Sequence, residues 1–105
     1  MTRKQALAEL IAKVEAGGLA PVDLIALEPE EHAWAQQAYD GSLDAAKLLH
    51  EAMLPGWIWG RQQNGAMWVA NRPYTFRATT RGNDPARAWL LAILRALHSM
   101  EPDAE

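Results

Sequence analysis

Trp57-Ile58-Trp59-Gly60-Arg61-Gln62 and Ala66-Met67-Trp68-Val69-Ala70-Asn71 flank Asn64-Gly65, and the architecture turns on how these two runs pair. Asn-Gly between two strand-like runs is a strong hairpin signal, because both central turn positions need φ > 0. Tyr74-Thr75-Phe76-Arg77-Ala78-Thr79-Thr80 alternates as a third strand. A two-residue turn at Asn64-Gly65 sets Arg61 opposite Trp68, Trp59 opposite Ala70 and Trp57 opposite Arg72. A turn centred between Arg72 and Pro73 sets Val69 opposite Phe76 and Trp68 opposite Arg77. Residues directly opposite share a face. One face then carries Ile58, Gly60, Met67, Val69, Phe76 and Ala78, with Gln62 and Tyr74 at its margins. The other carries Trp57, Trp59, Arg61, Trp68, Arg77, Thr75 and Thr79, with Arg72 at the bend. An odd-numbered second loop would swap the third strand's contribution.

Outward from the hairpin, the chain reads as helices. Leu7, Leu10, Ile11 and Val14 place an apolar stripe on a helix over residues 2–16, which Gly17-Gly18 ends. Residues 19–28 hold Pro21 and a short apolar piece of no assigned state. Pro29 opens a second helix to Tyr39, with Glu30 and Glu31 in its first turn, and Asp40-Gly41 breaks it. Ser42 caps a third helix to Met53, with Leu43, Ala46, Leu49 (or Leu48) and Met53 on one stripe. On the far side of the sheet segment, Asp84 caps and Pro85 starts a last helix to Ser99 that is apolar almost all round. Such a helix needs cover on more than one side, from neighbouring elements or another subunit. The fold expected is α+β, in the order α-α-α-β-β-β-α, with a three-stranded antiparallel meander packed between helices. It is read as one domain over 1–105: a helical part at 1–38, an α-β-β-β-α unit at 39–99 and an acidic tail at 100–105.

Half of the 105 residues are hydrophobic and 22% are charged, the balance of a globular chain. Without cysteine there is no disulfide, thiolate zinc site or thiol nucleophile. No run reaches the ~20 apolar residues of a membrane span, and the N-terminus reads as an amphipathic helix, not a signal peptide. A cytoplasmic location is therefore expected, away from membranes.

Charge is asymmetric: the formal total is −3, the first half is acidic, and residues 56–100 hold six arginines against Asp84 alone. Arginine without lysine favours planar, stacked or bidentate contacts over diffuse phosphate attraction. Trp57, Trp59, Arg61, Trp68, Arg72 and Arg77 are the candidate binding residues. Trp and Arg are enriched at protein–protein hot spots, and the same pair stacks bases and holds phosphates. The competing reading makes the tryptophans core, with arginine stems covering them.

Catalytic signals are weak. His32, His50 and His98 fall on three different helices, His50-Glu51 lacks a second histidine at metalloprotease spacing, and all three read as surface or boundary residues. Ser42 and Ser99 read as a cap and a helix-end residue, with no nucleophile elbow. Glu28, Glu30 and Glu31 are explained by a helix start. Arg81-Gly82-Asn83 before the last helix has one glycine, too little for a phosphate loop. The expectation is a non-enzyme without metal or cofactor.

Tyr39-Asp40-Gly41-Ser42-Leu43-Asp44-Ala45-Ala46, then Leu54-Pro55-Gly56-Trp57-Ile58-Trp59, the meander, and Asp84-Pro85-Ala86-Arg87-Ala88 opening an Ala/Leu-rich helix form a recognisable succession. Over roughly residues 39–99 it resembles the phage ABA sandwich domain family, small proteins of phages and prophages. The resemblance implies helices on both sheet faces and carries over no catalytic residues. It also implies action by binding: an accessory protein that modulates a host protein, such as a defence component in the manner of an anti-CRISPR inhibitor. A nucleotide or single-stranded nucleic acid binder using Trp59, Arg61, Trp68 and Arg77 is the alternative, and a virion assembly component the second. A homo-oligomer is expected in each case, from the apolar last helix and the number of tryptophans.

Overall fold

A computed structural model describes residues 3–17, 29–62, 66–71, 77–80 and 84–101. The elements run α1 (Arg3–Ala16), α2 (Pro29–Tyr39), α3 (Leu43–Met53), β1 (Ile58–Arg61), β2 (Met67–Ala70), β3 (Arg77–Thr80) and α4 (Pro85–Met100). This is the expected α+β order with an antiparallel sheet, strand order β1-β2-β3. No helix among the described residues is long and apolar enough to cross a membrane.

The punctuation acts as its chemistry dictates. Ser42 Oγ accepts the Ala45 N–H at the start of α3, and Asp84 accepts the Ala86 and Arg87 amides at the start of α4. Gly17 ends α1 at φ +77°, and Gly41 stands at +111° between α2 and α3, a region an L side chain enters only with strain.

α4 is the centre of the molecule. Helices α1, α2 and α3 and strands β2 and β3 all pack on it, and Ala86, Ala88, Trp89, Leu90, Leu91, Ala92, Ile93, Leu94, Ala96 and Leu97 are buried. Its apolar girth is covered within the chain, so none of these residues is left over for a second subunit. That removes one ground on which a homo-oligomer was expected. α1 contributes Leu7, Leu10 and Val14 to the core. Its ends are tied to α4 by Arg3–Glu101 at 3.3 Å and by Glu15–Arg95. Both are solvent-exposed pairs, which contribute little.

Two expectations are corrected. On α3 the buried stripe is Ala45, Ala46, Leu49 and His50, whereas Leu43 and Leu48 are 43% and 47% exposed. The helix is turned so that Ala46 and Leu49 stay inside as expected, while Leu43 and Leu48 face solvent. His50, read as a surface or boundary residue, is only 2% exposed.

The larger correction is the hairpin register. Cα partners are Ile58–Ala70, Trp59–Val69, Gly60–Trp68 and Arg61–Met67, and the Gln62 N–H donates to the Ala66 carbonyl at 2.8 Å. The ladder therefore closes around three intervening residues instead of two. Asn64-Gly65 serves a three-residue loop as readily as a two-residue one, and one residue of slip inverts the whole strand. The loop 63–65 itself lies outside the described residues. β2 and β3 pair Met67–Thr80, Trp68–Thr79, Val69–Ala78 and Ala70–Arg77. This is two residues from the expected register, so parity there is kept.

The face against α4 thus carries Met67, Val69, Ala78 and Thr80, all buried, together with Trp59 and Arg61 from β1. The Thr80 hydroxyl donates to the Ala88 carbonyl of α4, satisfying a buried polar group. The opposite face carries Ile58, Gly60, Trp68, Ala70, Arg77 and Thr79. Among the described residues, the extensive helix–sheet packing is that of α4 on β2 and β3, and Ala70 on the opposite face is buried as well.

Candidate functional site

The register divides the candidate residues. Trp68 and Arg77 stay together: the Arg77 guanidinium carbon lies 4.7 Å from the Trp68 ring centroid, on the face away from α4. Arg77 and Thr79 are exposed there, and Trp68 is half-buried. Gly60 makes this arrangement possible. A Cβ at Gly60 would stand 2.5–2.7 Å from the Cζ2, Cε2 and Nε1 atoms of Trp68, so the indole lies on bare backbone of β1. The stack of guanidinium on indole is worth about 0.5–1 kcal/mol at an exposed site.

Trp59 and Arg61, expected beside Trp68 and Arg77, are on the α4 side. Trp59 stacks on Trp89 with ring centroids 4.2 Å apart and is nevertheless 43% exposed. Arg61 is exposed at the end of β1. Trp57 is partly buried against the core. Arg72, Thr75, Phe76, Tyr74 and Arg81 lie outside the described residues. The single platform of tryptophans and arginines is therefore replaced by two sites of different construction.

The arginines sort by what they meet. Arg3 and Arg95 have carboxylate partners. The Arg87 Nε–H donates to the Tyr39 carbonyl at 3.0 Å, and its guanidinium lies 4.0 Å over the Tyr39 ring, which fastens α2 to α4. Arg61 and Arg77 meet no carboxylate among the described residues, and both are exposed. Both belong to the sheet.

The residue missed by sequence reasoning is His50. Its Nε2–H donates to the Trp57 carbonyl at 3.1 Å, and its Nδ1 accepts the Trp89 Nε1–H at 3.3 Å. The two partners fix the tautomer: a carbonyl accepts only and an indole N–H donates only. Burial lowers the imidazole pKa from its ordinary value, against the upward pulls of the Trp57 carbonyl and the Glu51 charge. His50 is thus a neutral pin joining α3, the entry to β1 and α4, and through Trp89 it supports the Trp59 stack. The signal was its place next to Leu49 and one turn after Ala46, on the buried side of α3. Among the described residues, no three His, Asp or Glu side chains gather as a metal site requires. No protein-family model, curated protein or solved structure matches this chain.

Proposed function

We propose that this chain is a non-catalytic binding protein, an accessory protein of phage or prophage origin that modulates a host protein held against Arg77 and Trp68 on the sheet face away from α4. The target class is a host defence component, and the setting rests on the sequence resemblance. The observation that carries the binding surface is Arg77 on Trp68. It is an exposed guanidinium, without a carboxylate among the described residues, on a face that no described helix packs extensively. Trp and Arg together are the residues that most often dominate a protein interface. The partner surface is acidic, since an arginine docked on an indole presents its remaining N–H groups to a carboxylate.

The nucleotide reading loses support from the register. Trp59 and Arg61 stand on one side of the sheet and Trp68 and Arg77 on the other, so no one nucleotide meets all four. The net charge of −3 also opposes a polyanion. A host-lysate capture with wild type, Arg77→Glu and a fold check by circular dichroism tests the proposal. Wild type retains a host protein that the folded variant loses. Equal retention by both moves the site off this face.

A further inference from the structure

We propose that two copies of this chain pair through the outer edges of their β1 strands, antiparallel, about a two-fold axis at Gly60. This rests on the strand edge and is independent of the open-face reading above.

β1 is an outer strand, and among the described residues β2 is the element that packs extensively on it. Because the Gln62 N–H donates to Ala66, the backbone groups of residues 58, 60 and 62 point toward β2. Alternation then turns the N–H and C=O groups of Trp59 and Arg61 outward. An open edge of this kind is a template for another strand.

The side chains choose the occupant. In an antiparallel pair centred on Gly60, Trp59 stands directly opposite the partner's Arg61, and by symmetry Arg61 opposite the partner's Trp59. Each outward N–H and C=O of one edge meets its counterpart on the other. Opposite residues share a face, so the Arg61 guanidinium, which has no ion pair among the described residues, lies on an indole already held by its stack on Trp89. This also gives Trp59 its reason for being 43% exposed.

The neighbouring symmetric registers fail. Centring on Arg61 opposes two like charges. Centring on Trp59 sets Arg61 against the partner's Trp57, and the Trp57 N–H is already engaged with the Leu54 carbonyl at 3.0 Å. The Gly60 register alone uses both outward residues of each edge without opposing charges. The product is one continuous sheet with two Trp68–Arg77 stacks left open.

Sedimentation of the full chain from ~1 to ~300 µM tests this, with association rising by mass action. Wild type is expected to form a dimer. Arg61→Glu, at an exposed position, leaves the fold intact and weakens the dimer by roughly tenfold or more through loss of two cation–π contacts. Arg61→Lys retains most of the affinity, and Arg77→Glu, on the other face, leaves the dimer unchanged. In hydrogen exchange, the Trp59 and Arg61 amides gain protection as concentration rises, whereas the Gly60 amide is protected throughout. A monomer at every concentration overturns the proposal and leaves the edge to an extended segment of another protein. So does a dimer that Arg61→Glu does not weaken, or one in which the Trp59 amide stays unprotected.

Discussion

Replacing His50 tests the assignment of a buried neutral pin most directly. In His50→Ala, the Trp89 Nε1–H loses its acceptor and the Trp57 carbonyl its donor. A buried polar group left without a partner costs about 1–3 kcal/mol, the half-buried carbonyl toward the low end. Removing an imidazole that is 2% exposed leaves a void in the contact between α3 and α4, adding about 1–2 kcal/mol. The expected loss is about 3–4 kcal/mol, equivalent to a fall in Tm of roughly 15–25 °C for a domain of this size. Urea titration by circular dichroism reads it. His50→Gln keeps a donor and an acceptor on a similar reach and loses much less, about 1 kcal/mol.

The pH dependence separates the two chemistries. The folded-state pKa is lowered by burial, so as pH falls through ~6.5 the unfolded chain takes up a proton that the native state refuses. Stability therefore falls with pH from that point, and this residue's contribution to the slope ends below the native value, where both states are protonated. His50→Gln flattens that limb. A loss under ~1 kcal/mol in His50→Ala, with an acid limb identical in wild type and His50→Gln, would refute the assignment.

Gly60→Ala forces the Trp68 indole off β1, because no atom can stand 2.5 Å from the new methyl. The expected cost is about 1–3 kcal/mol, with a shift in tryptophan fluorescence as Arg77 and Trp68 part. Unchanged fluorescence and stability would mean that the indole does not lie there. Asp84→Ala removes the acceptor for the Ala86 and Arg87 amides and should lower the urea midpoint by an amount worth about 1 kcal/mol. Asp84→Asn should recover most of it, since an amide oxygen caps as well as a carboxylate.

How much of this was legible in the sequence depends on whether a signal was local. Helix starts and stops were readable because Ser42, Asp84, Pro29, Pro85 and Gly41 act on their own backbone neighbours. Element order followed, since 3.6-residue stripes and strand alternation are also local. The register was not legible to the residue. Asn64-Gly65 marks that a hairpin turns but is compatible with loops of either parity, and the choice is made by what the sheet packs against. With Met67, Val69 and Ala78 committed to α4, β1 was free to place either alternating set on that side. It placed Trp59 there, where Trp89 supplies a ring to stack on. His50 was hidden for a related reason. A histidine reads as polar until its partners are known, and these come from residues 7 and 39 positions away.

The one-residue slip is also what divides the aromatic and basic side chains of the sheet between two surfaces. With the shorter turn, the tryptophans and arginines of the described strands would gather on one surface, and β1 would present only small or aliphatic side chains, Ile58 and Gly60, on the side of α4. The observed register keeps Trp68 and Arg77 on the open face and sends Trp59 and Arg61 to the rim beside α4. Nothing in the core demands the latter pair: α4 is already enclosed by α1, α2, α3, β2 and β3, and Arg61 contacts no carboxylate among the described residues. A small domain that leaves an indole 43% exposed two residues from a guanidinium with no ion pair among the described residues, on an outer strand, forgoes about 1–2 kcal/mol of burial. In the β1 pairing proposed above, that exposure is covered by a second β1 whose arginine falls on the first one's indole.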